Sequence, residues 1–223
     1  MTGEQDRAQG QEPHLSTDDI GSEMDGRLTS PSAGRNAGPI LDALKPLLAG
    51  RSGLVLEVGS GTGQHVAGWA GLFSTLEWQP SDPFEQQLDS IRAWVAQSGY
   101  QNLRPPIWLD AAEDWPLLGP LEMVISLNVI HITPWVVTKG IVRGAANALS
   151  PGGLLVFYGP FKEDGAHTGG GNARFDASLR AQDPAWGIRD LGDVAALAAD
   201  AGLSEPAVTM MPSNNRLVAF TKS

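Results

Sequence analysis

The chain has 223 residues with a formal net charge of −10, and it contains no cysteine. The missing cysteines exclude disulfides, thiolate catalysis and cysteine-based metal sites, while the acidic balance argues against broad nucleic-acid binding. Since no apolar run reaches the length of a membrane span and no signal-peptide pattern opens the chain, we expect a cytoplasmic globular protein without a membrane partner.

The first 30 residues differ from the rest of the chain in composition. They hold seven acidic residues against Arg7 and Arg27, and they show no apolar periodicity. Such a segment lacks the apolar surface that would offset the entropy lost on ordering. We therefore predict a disordered acidic tail over residues 1–30 and one folded domain over residues 31–223.

A helical stripe of apolar residues follows between Ile40 and Leu48. Arg35 and Asn36 come just before this predicted helix. The guanidinium fork of an arginine is well suited to binding a carboxylate. The same two residues are equally typical of a surface loop, so both interpretations stand.

The segment Leu54–His65 carries the strongest functional signal. Its apolar run Leu54–Val58 predicts a buried parallel strand, and a predicted helix follows over Gln64–Phe73. Three alternate glycines separate the strand from the helix: Gly59, Gly61 and Gly63. A glycine turn between a strand and a helix is typical of nucleotide-type cofactor sites, although short glycine motifs also occur by chance.

Two acidic residues follow the next predicted strands. Asp82 comes after the strand Leu76–Pro80 and lies 19 residues beyond Gly63. An acid in this place accepts hydrogen bonds from ribose hydroxyls in doubly wound folds, and it also fits the start of a helix. Asp110 follows the short strand Ile107–Leu109, where an acid either binds an adenine amino group or caps a turn.

The most apolar continuous stretch predicts a fourth central strand over Met123–Leu127. Asn128, His131 and Trp135 follow it, and ligands bind outside the carboxyl ends of strands in open α/β sheets. Histidine is suited to proton transfer near neutral pH, but a lone histidine is also often a hydrogen-bonded packing residue. A fifth strand, Leu154–Tyr158, runs into a further loop.

The stretch from Asn172 to Asp190 is dense in charged and aromatic residues. Arg180, Trp186 and Arg189 are typical either of a substrate pocket or of a salt-bridged surface. The glycine-rich segment before it, Gly165–Gly171, predicts a lid or a linker.

Two predicted strands, Ala207–Met211 and Leu217–Thr221, close the chain as a hairpin. With the five earlier strands and the helices between them, they predict an α/β fold: a doubly wound, Rossmann-like seven-stranded sheet with a C-terminal antiparallel hairpin. A dinucleotide enzyme would carry GxGxxG, whereas here position 64 is Gln and Glu57 stands two residues before the first glycine. These features favour S-adenosylmethionine (SAM) as the cofactor.

Four features resemble the class I SAM-dependent methyltransferases: the segment Glu57–Gly63, Asp82, Asp110 and the strand that ends at Asn128. A closer resemblance, to the family of methyltransferase-like protein 26, rests on six segments. They are Ser32–Asn36, Glu77–Asp82, Ile130–Trp135, Tyr158–Phe161, Asp183–Asp190 and Pro212–Asn215. The superfamily resemblance implies that the glycines pack against the cofactor, that Glu57 supports its amino group, that Asp82 holds the ribose and that Asp110 binds the adenine.

We therefore predict a SAM-dependent methyltransferase that acts on a small molecule, with no metal site. The predicted cofactor-binding residues are Arg35, Asn36, Glu57, Gly59, Ser60, Gly61, Gly63, His65, Asp82, Asp110 and Asn128. The predicted substrate-binding residues are Trp135, Arg180, Trp186 and Arg189. Methyl transfer is an in-line displacement, so a base is needed only where the acceptor must lose a proton; His131 is the first candidate and Tyr158 the second. A non-catalytic SAM-binding protein and an NAD(P)-dependent oxidoreductase are the alternatives.

Overall fold

The computed structural model describes residues 21–223; residues 1–20, part of the predicted acidic tail, lie outside the described residues. The helices are α1 (Pro31–Leu48), α2 (Gln64–Ala70), α3 (Glu85–Ser98), α4 (Trp135–Ala148), α5 (Gly170–Gln182) and α6 (Leu191–Asp200). The strands are β1 (Gly21–Ser22), β2 (Leu28–Thr29), β3 (Gly53–Val58), β4 (Leu76–Asp82), β5 (Ile107–Trp108), β6 (Leu121–Leu127), β7 (Leu149–Glu163), β8 (Ala166–His167), β9 (Arg189–Asp190), β10 (Ala207–Met210) and β11 (Asn215–Thr221).

Strands β1 and β2 form a short antiparallel hairpin within the segment predicted to be a tail. The Leu28 amide donates to Ser90 Oγ at 2.8 Å, and Trp94 Nε1 donates to the Leu28 carbonyl at 3.0 Å. These bonds attach the hairpin to α3. The folded domain therefore begins before residue 31, and the acidic tail stays a prediction for residues 1–20.

Seven strands form one continuous sheet in the order β10-β11-β7-β6-β3-β4-β5. Strands β3 to β7 run parallel to one another, and β11 pairs antiparallel with both β7 and β10. The chain continues from β3 toward β5 on one side and then returns to β6 on the other, which is the topological switch of doubly wound folds. The prediction of a Rossmann-like seven-stranded sheet with a terminal antiparallel hairpin is confirmed.

Apolar layers cover both faces of the sheet, because neighbouring residues of a strand point to opposite sides. Leu56 of β3 shares one buried cluster with Val194 of α6, whereas Val55 shares the other cluster with Ile40 of α1. The strands are thus buried on both sides. Among the helices of residues 21–223, none combines the length and the apolar composition that crossing a membrane requires.

Helix α1 begins earlier than the apolar stripe indicates. Ser30 caps the helix by accepting a hydrogen bond from the Ala33 amide, and Pro31 occupies the first turn, where a missing N–H costs nothing. Arg35 and Asn36 therefore lie inside α1. The prediction that these two residues precede the helix is wrong, because the Ser-Pro start signal outweighs the later apolar pattern.

Helix α5 occupies a stretch for which the sequence predicts no helix. Its buried residues are Asn172, Asp176 and Leu179, so most of the face that it turns inward is polar. Such a helix lacks the apolar periodicity by which helices are recognised. Strands β8 and β9 flank α5 and pair with the end of β7, which places the helix beside the carboxyl edge of the sheet.

Candidate functional site

The glycine turn after β3 requires glycine for two reasons, which are its positive φ angles and its close contacts with neighbouring side chains. Gly59 and Gly63 have positive φ angles of 71° and 86°, which favour glycine. A Cβ at Gly59 would lie 2.6 Å from Val129 Cγ2, and one at Gly63 would lie 3.0 Å from Ile91 Cγ1. Gly61 also has a positive φ, but a Cβ there would meet no described atom within 4 Å. Gly61 thus turns a free backbone face toward open space.

Asp82 holds this turn from the end of β4. Its Oδ2 accepts a hydrogen bond from the Gly61 amide at 2.9 Å, and its Oδ1 accepts one from the Phe84 amide at 3.1 Å. The side chain is only 4% exposed, and burial raises its pKa to about 6. Each oxygen keeps a second lone pair, so Asp82 is able to accept further hydrogen bonds from a ligand.

Glu57 lies two residues before the turn, and its residue is 2% exposed. Its Oε2 is buried and has no hydrogen-bond partner among residues 21–223. Burial, aided by the nearby charge of Asp82, raises the pKa of this carboxyl to about 7. An unpartnered carboxylate in such a place is costly, so a cation bound beside Glu57 would be stabilised.

Asp110 caps a turn directly after β5. Its Oδ1 accepts from the Ala112 amide at 2.9 Å, and the Leu109 amide donates to the Asp82 carbonyl at 3.2 Å. The capping interpretation is confirmed, and adenine binding stays a prediction. Gly140 of α4, which the sequence did not single out, sets this arrangement, because a Cβ there would lie 1.8 Å from the Ala111 carbonyl oxygen. Helix α4 therefore packs directly on the turn.

Asn128 and His131 lie together at the carboxyl ends of β6 and β7. The Asn128 amide donates to the Tyr158 carbonyl at 2.8 Å, and Asn128 itself has a positive φ of 60°. A Cβ at Gly159 would lie 3.2 Å from His131 Nδ1 and 3.4 Å from Asn128 Oδ1. The absence of a side chain at Gly159 thus makes room for both groups.

His131 is 3% exposed, and its Nδ1 has no hydrogen-bond partner in the described part of the chain. The ring meets the edge of Phe175 with 5.5 Å between ring centroids. Burial, aided by the positive charge of Arg189, lowers the pKa of His131 to about 4. The imidazole is therefore neutral at pH 7 and has a free nitrogen. Phe175 belongs to α5, whose position near His131 no sequence pattern reveals.

Tyr158 lies in a different environment. Its side chain belongs to the buried apolar cluster that contains residues of α1 and α2. The Tyr158 hydroxyl accepts a hydrogen bond from Asn215 Nδ2 at 3.0 Å, and burial raises its pKa. Because this hydroxyl already has a partner, His131 is the better placed of the two candidate bases.

The remaining predicted cofactor residues surround the start of α2. Arg35 is exposed and Asn36 half-buried on the first turns of α1. The His65 ring stacks on Trp69 at 4.8 Å, and burial lowers its pKa to about 4. Ser60 Oγ accepts from the Ser81 amide at 3.2 Å and ties the glycine turn to β4. Cofactor contact by these residues stays a prediction.

The four predicted substrate residues lie on one side of the site, and they make different contacts. Arg189 donates from Nε to the Ile130 carbonyl at 2.9 Å and lies over the Trp135 ring at 5.7 Å. Arg180 donates to Asp176 Oδ2 at 3.3 Å. Trp186 is buried in a small apolar cluster with Leu179 and Ile188. A cavity of about 630 Å³ lies against Trp135, Arg180 and Arg189.

Ser90 of α3 links the N-terminal hairpin to the glycine turn. Its Oγ donates to the Thr62 carbonyl at 2.7 Å and accepts from the Leu28 amide at 2.8 Å. We expect Ser90→Ala to lower the free energy of unfolding by about 2 kcal/mol in urea denaturation, because two backbone groups lose their partner.

Ser98→Ala is the matched control for this prediction. Ser98 Oγ donates to the Val95 carbonyl of the same helix and accepts at 3.3 Å from the exposed Tyr100 amide, so its bonds stay local and do not reach the glycine turn. Its loss is expected to cost no more than about 0.5 kcal/mol. Equal losses in the two variants would contradict the bridging role of Ser90.

Over residues 27–222 the chain matches the family described as protein of unknown function, DUF938. The chain belongs to this family. It is also similar in fold to solved structures whose chains it spans for little more than half of their length. One is an O-methyltransferase family protein from Burkholderia thailandensis, with a TM-score of 0.74 and 17% identity over 86% of this chain and 57% of that chain.

Two further solved structures show the same fold. The S-adenosylmethionine-dependent methyltransferase SibL, in its apo form, has a TM-score of 0.70 and 20% identity over 86% of this chain and 55% of that chain. An O-methyltransferase family 2 protein from Planctomyces limnophilus, in complex with apigenin, has a TM-score of 0.71 and 20% identity over 86% of this chain and 59% of that chain. At these identities the likeness establishes the shared fold.

Proposed function

We propose that this chain is a SAM-dependent methyltransferase with a small-molecule acceptor. The unpartnered, buried carboxylate of Glu57 beside the glycine turn carries the proposal. A doubly wound sheet presents this carboxylate at its topological switch point, where such folds bind ligands. The fold shared with solved methyltransferases supports the same conclusion.

The residues at this edge fit SAM in charge and in shape. We assign Glu57 to the cationic amino group, because that group would satisfy the free Oε2. Asp82 has lone pairs left for ribose hydroxyls. The open backbone face at Gly61 lets the cofactor approach closely. Asp110 is assigned to the adenine end.

The chain's own contribution to the reaction is positioning and proton acceptance. Bound SAM supplies an electrophilic methyl group on a sulfonium sulfur. The rigid carboxyl edge of the sheet orients the acceptor toward it, which is the main source of rate in a displacement of this kind. For a hydroxyl acceptor, the neutral His131 imidazole accepts the proton that leaves. Unchanged turnover in His131→Ala would contradict this role.

The apigenin complex of the Planctomyces limnophilus protein supports a small-molecule acceptor for this fold. Six segments between Ser32 and Asn215 support kinship with methyltransferase-like protein 26. The absence of cysteine throughout the sequence fits a cytoplasmic location.

Ligand binding to the purified chain tests the proposal. We expect SAM and S-adenosylhomocysteine (SAH) to raise the unfolding temperature, because a ligand present at about 100 times its Kd adds about 2.7 kcal/mol to stability. NADH should give no shift. A shift with NADH alone would favour an oxidoreductase. Binding of SAM without methyl transfer to any of a broad panel of small acceptors would favour a non-catalytic protein.

A further inference from the structure

A cavity of about 630 Å³ lies beside the predicted transfer site, between the beginnings of α4 and α6 and the end of β7. The residues that line it are Trp135, Lys162, Gly165, Arg180, Ile188, Arg189, Asp190 and Asp193. The wall residue Arg189 contacts the segment that carries His131, because its Nε donates to the Ile130 carbonyl at 2.9 Å. The charged residues of this lining indicate which class of molecule the cavity binds.

Two cations of the wall, Lys162 and Arg180, converge on a single carboxylate. Lys162 Nζ lies 3.0 Å and Arg180 Nε 3.3 Å from the same oxygen, Asp176 Oδ2. Asp176 also accepts from the Ile188 amide at 2.7 Å. The negative charge of Asp176 is thus shared by Lys162 and Arg180. The third cation, Arg189, makes no ion pair with Asp176.

Arg189 has no carboxylate partner within 4.0 Å among residues 21–223. Its donors face carbonyl oxygens instead, those of Ile130, Thr133 and Ala185, and its Nη1 makes no hydrogen bond in the described part of the chain. The side chain is half-buried, and burial, together with the charge of Arg180, lowers its pKa. A guanidinium in such surroundings is stabilised by an added anion.

Two acids also line the cavity, and both belong to the start of α6. Asp190 accepts from the Gly192 amide at 2.9 Å and from the Gly165 amide at 2.6 Å, so it serves as the N-cap of α6. Asp193 is exposed in the first turn of that helix, where the helix dipole stabilises a negative charge. Neither acid lies within 4.0 Å of the guanidinium nitrogens of Arg189 or Arg180.

Resting on the methyltransferase function proposed above, we propose that the acceptor is a small anionic molecule whose carboxylate or phosphate binds Arg189 and Arg180 in this cavity. Arg189 offers its Nη1 to the anion, and Arg180, which donates only from Nε among residues 21–223, offers its two Nη groups. The Trp135 ring offers an apolar surface for the remainder of the molecule. The anion anchors the acceptor, and its nucleophilic group is left to face His131.

Three probes that share one ring test the proposal: 4-hydroxybenzoate, phenyl phosphate and the neutral 4-hydroxybenzamide. Their affinities are measured by calorimetry on the full chain, with and without saturating SAH. We expect at least one of the two anions to bind at least tenfold more tightly than the amide, and the better anion identifies the class. Equal binding of the amide, or no anion binding up to about 10 mM, would overturn the proposal.

Arg180→Gln provides the test by mutation. We expect it to weaken the binding of the preferred anion about tenfold and to leave the affinity for SAH unchanged, because Asp176 keeps Lys162 and the Ile188 amide as partners. Arg104→Gln, which removes an exposed arginine that pairs with Glu77, is the matched control and should change neither affinity. An unaltered anion affinity in Arg180→Gln would contradict the site. A wild-type chain that binds the anion but not SAH would refute the proposed function and leave this cavity as an anion site.

Discussion

Asp82→Ala should lower the affinity for SAH about 100-fold. The carboxylate is assigned two hydrogen bonds from ribose hydroxyls, and a bond to a charged group contributes about 1.5 kcal/mol or more. Two such bonds amount to about 3 kcal/mol, which is a factor of roughly 100 in Kd. The variant also loses the acceptor of the Gly61 amide, which loosens the turn itself. Isothermal titration calorimetry with SAH measures the change.

Two further variants make this result interpretable. Asp82→Asn keeps one carbonyl oxygen for the Gly61 amide, so we expect a smaller loss of affinity with the fold preserved. Asp89→Ala removes an exposed acid of α3 that pairs with Arg92, and it should bind SAH as the wild type does. If Asp82→Ala bound SAH within about threefold of the wild type, Asp82 would not hold the ribose.

The affinity for SAH should rise about tenfold between pH 6 and pH 8, and Glu57 is the cause. In the free protein the pKa of this carboxyl is about 7, so most of it is protonated at pH 6. An amino group bound beside it requires the ionised form, so binding competes with the proton below pH 7. In Glu57→Gln the affinity should be weaker and nearly constant over this range. Calorimetry at a series of pH values separates the two cases.

The same carboxyl sets the pH dependence of the free protein's stability. Its pKa is raised on folding from 4.5 to about 7, so its contribution to stability is present below pH 4.5 and is lost as the pH rises through 7. This change in pKa corresponds to about 3 kcal/mol of unfolding free energy. Glu57→Gln should therefore match the wild type near pH 4.5 and exceed its unfolding free energy by about 3 kcal/mol at pH 8.

Glu205→Gln is the control for both measurements, because Glu205 is exposed and lies after α6, away from the glycine turn. It should follow the wild type at every pH. A wild-type affinity that stays constant from pH 6 to pH 8, or a Glu57→Gln variant that gains no stability at pH 8, would contradict the account of Glu57 given above.

The glycine turn and the acid beside it could be predicted from local patterns, because each is recognised from residues that lie close together in the sequence. An apolar strand, three glycines and an acid at the end of the next strand are each recognised within a few residues of sequence. The structure brings Gly61 and Asp82 into direct hydrogen-bond contact. The alternation of strands and helices predicted a doubly wound sheet, and the structure supplied the order of its strands.

The sequence named candidate residues for the acceptor side, but their arrangement could not be predicted because its contacts join distant parts of the chain. Helix α5 turns Asn172 and Asp176 inward, so it has no apolar stripe to recognise. The extent to which Phe175 covers His131 depends on where that helix lies.

Residue type alone marks an arginine, a histidine or a carboxylate as chemically capable. Whether Arg189 has a counter-ion, whether His131 is neutral and whether Glu57 keeps a free oxygen depend on the burial and the partners that folding creates. Local sequence therefore determined the strands, the glycine turn and the identity of the acids. The charges and protonation states of the site follow from tertiary packing, because desolvation and long-range contacts set them.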